Sequence, residues 1–114
     1  MILRMWRGRV PLERAGEYSD YQREVGPPGY RAVKGNEGVL MVGRELGDEY
    51  EITMVTLWSS WRAVRAFAGE PLDAARYYDR DFEFLIDPPD KVEHFEMLCG
   101  SGWECIGTER PEAG

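Results

Sequence analysis

The segment Thr56–Gly69 constrains the fold of this chain more than any other part of the sequence. It reads T-L-W-S-S-W-R-A-V-R-A-F-A-G and changes from a strand pattern to a helical pattern within a few residues. Ser59 or Ser60 can cap the helix, because a serine side chain accepts a hydrogen bond from a backbone N–H in the first helical turn. Gly69 closes the helix. The segment therefore predicts a strand that ends on Trp58 and turns directly into a short amphipathic helix.

A β-hairpin is predicted immediately before this corner. Val39–Leu46 and Glu49–Trp58 both have the character of strands, and the second is rich in β-branched and aromatic residues. Gly47 and Asp48 lie between them and favour a tight turn. Together these segments predict the second and third strands of the chain.

The N-terminal part predicts one strand and one helix. Ile2–Arg9 is short and apolar-rich, and Pro11 suits the first turn of a helix. Apolar residues then recur at three- and four-residue steps, which indicates one buried helical face: Leu12, Ala15, Tyr18, Tyr21 and Val25. We expect the run Gly26–Gly29, which contains two prolines, to end this helix. Tyr30–Lys34 is expected to be extended.

The region after the second helix is less regular. Glu70–Pro88 is aromatic and predicts one or two short helical turns. Its carboxylates at Asp79, Asp81 and Glu83 lack the spacing of a metal site, and we expect them to be solvated. Lys91–Leu98 alternates in character and predicts a fourth strand.

The order strand, helix, strand, strand, helix, strand defines the expected fold class. Two split βαβ units of this kind form a ferredoxin-like α+β sandwich with an antiparallel sheet. Two helices can cover only one face of a four-stranded sheet, whereas the first three strands are apolar on both faces. Because exposed apolar surface favours association, we expect a second copy of the chain to cover the far face in a symmetric homodimer.

Composition limits the partners and the location of the protein. The 114 residues fit a single domain, which we place at residues 1–98, with 99–114 as a polar C-terminal tail. The net charge of −7 disfavours binding to nucleic acid. No apolar run approaches the roughly 18 residues that span a bilayer, and we expect a cytoplasmic protein without membrane attachment. Cys99 and Cys105 are expected to be reduced, and a single histidine predicts no metal site.

Four short segments carry a resemblance to a known family. They are L-W-S-S at Leu57–Ser60, A-F-A-G at Ala66–Gly69, the alanine-tyrosine segment Ala74–Tyr78, and V-E-H-F-E at Val92–Glu96. Together with the order of strands and helices, they resemble the antibiotic biosynthesis monooxygenase-like domains of the dimeric α+β barrel superfamily, over about residues 1–98. The resemblance implies a barrel formed by two subunits. It also implies oxygenase chemistry on phenolic rings without metal or flavin, so that no cofactor is expected, while the broader superfamily includes heme-degrading enzymes.

The chain departs from the family pattern at three positions. Met54 stands where the cofactor-free oxygenases typically carry an asparagine, and Val64 stands where they carry a polar aromatic residue. Ala68 lies in the region where the heme-degrading relatives have an axial histidine. The resemblance therefore supports the fold more strongly than it supports either reaction.

Candidate site residues fall around the second helix and the last strand. His94 is the single histidine, and imidazole can exchange a proton near neutrality, so we expect it to deprotonate a phenol or an enolisable carbonyl. The alternative is a histidine held by hydrogen bonds in the core or at the dimer interface. Trp58 is expected to stack on an aromatic ligand and, with Phe67, to shape the cavity. The hydroxyl groups of Tyr77 and Tyr78 and the cation of Arg76 are expected to hold a phenolate or a carboxylate. For Trp58 and for the loop residues, packing alone is the alternative.

The sequence thus leaves three functional hypotheses. The first is an oxygenase acting on an aromatic or polyketide-like molecule, in which an anion formed by His94 reacts directly with oxygen. The second is a non-catalytic dimeric domain that binds a small molecule, which Met54 and Val64 favour. The third is a heme-binding protein with His94 as the axial ligand.

Overall fold

The computed structural model describes residues 1–100 of the chain. They form four strands and two helices: β1 (Ile2–Pro11), α1 (Ala15–Arg31), β2 (Asn36–Leu46), β3 (Glu49–Trp58), α2 (Trp61–Ala68) and β4 (Glu93–Glu96). Within this part of the chain, no helix is both long enough and apolar enough to cross a membrane. Cys99 is exposed. The prediction for Cys105, and most of the predicted tail, fall outside the described residues.

The four strands form one antiparallel sheet in the order β2-β3-β1-β4. Strand β1 pairs with β3 along its whole length, from Ile2 opposite Trp58 onwards. On its other side β1 pairs with β4, where Arg4 lies opposite His94. This is the strand order of two interleaved split βαβ units, and the predicted ferredoxin-like α+β fold is confirmed.

The hairpin and the corner that follows it are confirmed. Gly47 adopts a positive φ of 63° in the turn between β2 and β3, a conformation that glycine reaches without strain. The Ser60 side chain accepts a hydrogen bond of 3.2 Å from the backbone N–H of Ala63 and so caps α2. Gly69 ends α2 with a φ of 72°. Trp58 is consequently held at the point where the sheet meets α2.

Several element boundaries differ from the predictions. Strand β1 continues to Pro11, so α1 begins only at Ala15, after the 3₁₀ turn Leu12–Arg14. Strand β2 begins earlier than expected, and β4 is shorter than the predicted Lys91–Leu98. The longer β1 and the earlier start of β2 follow from pairing, since β3 supplies backbone partners along both strands.

The end of α1 was predicted wrongly. The run Gly26–Gly29 does not stop the helix, which continues through both prolines to Arg31, and Tyr30–Lys34 is therefore not extended. A proline inside a helix costs roughly 3 kcal/mol, because it removes a hydrogen bond and crowds the preceding turn. The additional turn places the ring of Tyr30 4.9 Å from the ring of Phe67 on α2, and this burial of aromatic surface offsets part of that cost.

Two separate apolar clusters occupy the face of the sheet that the helices cover. At one end, Ile2 and Trp58 pack with α2. At the other end, Val10 and Ile52 pack with Tyr18 of α1. The middle of β1 and β3 lies between the two clusters, and there Trp6 packs against the cluster around Val10.

The opposite face of the sheet is apolar and uncovered in the described chain. Leu40, Val42 and Phe95 are 42%, 53% and 47% exposed, and they share this face with the half-buried Leu3 and Met5. Pairing of this face with a second copy remains a prediction.

Candidate ligand-binding site

A cavity of about 200 Å³ lies between the sheet and the helices. It is located between the two apolar clusters, where the inward residues of β1 and β3 are Arg4, Trp6 and Met54. The remaining lining residues come from the helices and from the segment between α2 and β4: Tyr18, Gln22, Gly26, Tyr30, Phe67, Arg76, Tyr77, Tyr78, Asp81 and Val92. Mostly aromatic walls with a few polar groups are typical of small-molecule sites.

Arg4 provides a buried cation on the sheet side of the cavity. Arg4 is only 4% exposed. Its guanidinium donates hydrogen bonds to the carbonyl oxygens of Leu72 (from Nη1, 2.7 Å) and Ala74 (from Nη2, 2.9 Å). Burial lowers the pKa of Arg4 from its ordinary value, because a charged guanidinium loses its hydration there. Residues 1–100 place no carboxylate within 4.0 Å of its nitrogens.

His94 lies behind Arg4 and does not line the cavity. Its Nε2 is 3.0 Å from Nη1 of Arg4, and its ring packs edge-on against Trp61 with 5.4 Å between centroids. An arginine can only donate, so Nε2 accepts this hydrogen bond and the proton of the neutral imidazole is on Nδ1. Burial, and secondarily the charge of Arg4, lowers the pKa of His94. Its role as a general base remains a prediction that the cavity geometry does not favour.

Trp58 is fully buried beneath the cavity and does not line it. Its Nε1 donates to Oγ1 of Thr56 at 2.9 Å, and its ring lies 5.2 Å from the ring of Phe67. Phe67 is in contact with the open space, and it also faces the guanidinium of Arg4 at 5.5 Å. Trp58 therefore supports the aromatic wall from behind, whereas Phe67 is the ring that contacts the cavity.

The predicted segment Arg76, Tyr77 and Tyr78 does reach the cavity. The Tyr77 hydroxyl accepts a hydrogen bond of 3.0 Å from Nε1 of Trp6 and donates one of 2.5 Å to the carbonyl oxygen of Pro89. Arg76 is exposed, and Tyr78 is 56% exposed. Tyr77 is therefore a fixed part of the wall, while Arg76 and Tyr78 lie nearer to solvent.

Asp81 was expected to be solvated, and this prediction was wrong. It is 3% exposed, and its Oδ1 accepts hydrogen bonds from the Tyr18 hydroxyl (3.1 Å) and from Nε2 of Gln22 (2.9 Å). Its Oδ2 accepts one from the backbone N–H of Tyr78 at 2.8 Å. Burial raises the pKa of Asp81 in spite of these donors. Asp81 thereby attaches the segment around Tyr78 to α1 and brings a carboxylate to the cavity wall.

Two tyrosines of α1 contribute neutral hydroxyl groups near these charges. Burial raises the pKa of Tyr30 to about 12, while Arg4 acts in the opposite direction. Burial and then Asp81 raise the pKa of Tyr18 above its ordinary value. Both phenols are therefore protonated at neutral pH and can donate hydrogen bonds.

Sequence analysis missed both Arg4 and Asp81. For Arg4 a signal was present, since Ile2, Arg4 and Trp6 alternate onto the inward face of one strand. For Asp81 the sequence contains no comparably strong signal, because its hydrogen-bond partners on α1 lie about sixty residues earlier in the chain. No group of three or more histidine, cysteine or acidic residues in the described part of the chain is arranged to hold a metal ion.

Comparison with solved structures supports the fold. A Bacillus cereus protein that carries a provisional assignment as an antibiotic biosynthesis monooxygenase aligns with a TM-score of 0.50 and 11% sequence identity. The alignment covers 82% of this chain and 87% of the other. No protein-family model and no curated protein matches the sequence. At this identity, the likeness establishes a shared fold and leaves the function to be argued from the site.

Proposed function

We propose that this protein binds a small aromatic molecule in the cavity between the sheet and the helices and oxygenates it without metal or flavin. The cavity is the observation that carries the proposal. Its volume of about 200 Å³ suits a substituted single ring, given that a cavity of roughly 150 Å³ accommodates benzene. Trp6, Tyr30 and Phe67 line the cavity and offer aromatic surface to such a ligand. The likeness in fold to a protein provisionally assigned as an antibiotic biosynthesis monooxygenase is consistent with oxygenation.

The proposed reaction requires an anion of the substrate. A phenol that loses its proton becomes electron-rich enough to react with O₂, and the overall change from phenol and O₂ to quinone and water needs no further reductant. One oxygen atom enters the ring and the other leaves as water. The positive charges of Arg4 and Arg76 on the cavity wall stabilise an anionic substrate electrostatically.

Asp81 is the base that this proposal favours over His94. It is the carboxylate among the lining residues, and burial raises its pKa, which makes it a better proton acceptor than an ordinary aspartate. Three donors occupy its oxygens, and a carboxylate offers about four acceptor positions, so one remains for a substrate hydroxyl. His94 then acts as a positioning residue for Arg4.

Oxygen consumption tests this function directly. The protein is incubated with a panel of phenols and hydroquinones, and O₂ uptake is recorded for the wild type, Asp81→Asn and His94→Gln. The proposal expects a loss of at least about tenfold in rate for Asp81→Asn and a smaller loss for His94→Gln. Equal rates for the wild type and Asp81→Asn would remove Asp81 from the mechanism.

A non-catalytic binding protein is the second candidate. The position of His94 outside the cavity favours it, because the one imidazole of the chain is then not available to a ligand. Ligand binding without any O₂ uptake across the panel would support this candidate. The third hypothesis, heme binding with His94 as axial ligand, is not favoured. His94 does not line the cavity, and the cavity volume of about 200 Å³ is below the roughly 300–1,000 Å³ of pockets for drug-sized ligands, whereas heme is at least as large as such ligands.

We further propose that the protein is a homodimer joined through the uncovered face of the sheet. Leu40, Val42 and Phe95 would otherwise remain in water, and burial of apolar surface contributes roughly 25 cal/mol per Å². Light scattering is expected to give twice 13.1 kDa for the wild type. Val42→Glu should shift the population to the monomer, whereas Ala66→Glu on the exposed side of α2 should not. A wild type that is monomeric at all concentrations would contradict the dimer.

A further inference from the structure

We propose that the ligand of this cavity is a hydroxy-aromatic monocarboxylate, with its carboxylate bound at Arg4 and Arg76 and its hydroxyl directed to Asp81. This inference rests on the proposed function, since it presumes that the cavity is the binding site. It adds the chemical class of the ligand and its orientation. The residues that line the cavity carry opposite charges, with the cations Arg4 and Arg76 on one part of the wall and the carboxylate Asp81 on another.

Arg4 is a buried cation with no carboxylate within 4.0 Å of its guanidinium among residues 1–100. Burial of a guanidinium is costly unless an anion compensates its charge, and carbonyl oxygens compensate it only in part. The negative charge of Asp73 interacts favourably with Arg4, but Asp73 lies more than 4.0 Å away and pairs with Lys91 at 3.8 Å. Three of the five guanidinium N–H groups are accounted for by Leu72, Ala74 and His94, so two remain for an incoming carboxylate.

Arg76 adds a second positive charge to the same cavity. Its side chain has no carboxylate within 4.0 Å among residues 1–100, and its charge acts unfavourably on Arg4. Two guanidinium groups that repel each other across a small space are stabilised together by one bound anion. A carboxylate suits this arrangement, because it is planar and accepts from arginine in a bidentate manner.

The opposite end of the cavity excludes a second anion. Asp81 accepts from Tyr18, which packs in the cluster around Val10, whereas Arg4 lies toward the cluster around Ile2. A carboxylate end repels an anion and accepts a hydrogen bond, so the distal group of the ligand is a neutral donor such as a hydroxyl.

Matched ligands test the charge of the bound group. Titration of 4-hydroxybenzoate, followed by calorimetry and by the fluorescence of the protein, is compared with titration of 4-hydroxybenzamide, which has nearly the same shape and no charge. Benzoate reports on the contribution of the hydroxyl. We expect the acid to bind at least about tenfold more tightly than the amide, and its affinity to fall as salt concentration rises. Benzoate is expected to bind more weakly than 4-hydroxybenzoate.

Matched variants test the position of the carboxylate. Arg76→Gln is expected to weaken binding of the acid about tenfold and to leave binding of the amide unchanged. Arg62→Gln, an exposed arginine of α2 outside the cavity, is the control and should alter neither. If the Arg4→Gln variant folds, it should weaken binding of the acid more than Arg76→Gln does. If the Arg4→Gln variant does not fold, the test depends on Arg76→Gln alone.

The outcomes separate this inference from the proposed function. Equal affinities for the acid and the amide, or an unchanged affinity of Arg76→Gln for the acid, would overturn the carboxylate assignment while leaving the cavity as a site for aromatic molecules. Absence of binding for all three compounds would overturn the carboxylate assignment and the proposed site together.

Discussion

Replacement of Asp81 by alanine should destabilise the protein by about 3 kcal/mol. The substitution removes the acceptor for the buried Tyr18 hydroxyl and for one N–H of Gln22. A buried donor left without a partner costs roughly 1–3 kcal/mol, so these two groups together account for about 2–6 kcal/mol. Part of this cost is offset, because the substitution also removes a carboxylate that is poorly hydrated in the folded protein. The raised pKa of Asp81 reflects that loss of hydration. Urea unfolding at neutral pH measures the difference.

Two further variants separate the hydrogen bonds from the charge. Asp81→Asn retains an oxygen for Tyr18 and Gln22 but presents an amide to the backbone N–H of Tyr78, so a cost of about 1 kcal/mol is expected. Asp79 is an exposed residue of the 3₁₀ turn Asp79–Glu83, which also contains Asp81, and Asp79→Ala should remain within about 0.5 kcal/mol of the wild type. A midpoint for Asp81→Ala that matches that of Asp79→Ala would refute the idea that Asp81 attaches this segment to α1.

The pH dependence of the same variants has a defined sign. The pKa of Asp81 is raised in the folded protein above its ordinary value of 3.8, which applies to the unfolded chain. At a pH between the unfolded and the folded pKa, the folded state therefore binds more protons than the unfolded state. Stability of the wild type, taken relative to Asp81→Asn, should therefore fall as the pH rises from about 3.8 through the folded pKa. A difference that increases over this interval would contradict the assigned direction of the shift.

The remaining predictions concern the two sides of the cavity. The pKa of His94 in the folded protein is lowered below 6.5, so the unfolded state takes up the proton first as the pH falls. The stability of the wild type relative to His94→Gln should therefore fall as the pH drops through about 6.5. A difference in unfolding free energy that stays constant between about pH 7 and 5 would contradict this. Gly8→Ala places a methyl group where the Trp6 ring now lies, so the ring must move and its 3.0 Å hydrogen bond to Tyr77 is disturbed. We expect a loss of about 1–3 kcal/mol and an altered Trp fluorescence spectrum, whereas Gly16→Ala, which meets no atom within 4 Å, should cause neither.

Local sequence signals account for most of the fold. The turn at Gly47 and the cap at Ser60 depend on residues within a few positions, and both were predicted correctly. The end of α1 was not, because local rules weigh the prolines of the run Gly26–Gly29 but do not include the contact of Tyr30 with Phe67, which lies far along the chain. Tertiary packing outweighed the local preference there.

The site was predictable only in part, for a related reason. The aromatic segment with Arg76 and Tyr77 could be assigned to a pocket because its composition is unusual for a loop. The buried charges could not be predicted. Arg4 is hydrogen-bonded to carbonyl groups about seventy residues later in the chain, and Asp81 is hydrogen-bonded to α1 side chains about sixty residues earlier. Such pairings follow from the topology of the sheet, and no motif in the sequence marks them.

The central claim, that the cavity receives an aromatic ligand, is tested most directly by the methyl resonances of methionine. The Met54 side chain lines the cavity, whereas Met5 lies on the opposite face of the sheet. With ¹³C-methyl-labelled methionine, addition of 4-hydroxybenzoate should shift the Met54 signal through the ring current of the bound ligand and leave the Met5 signal in place. An unchanged Met54 signal at saturating ligand, or a shift confined to Met5, would contradict the account.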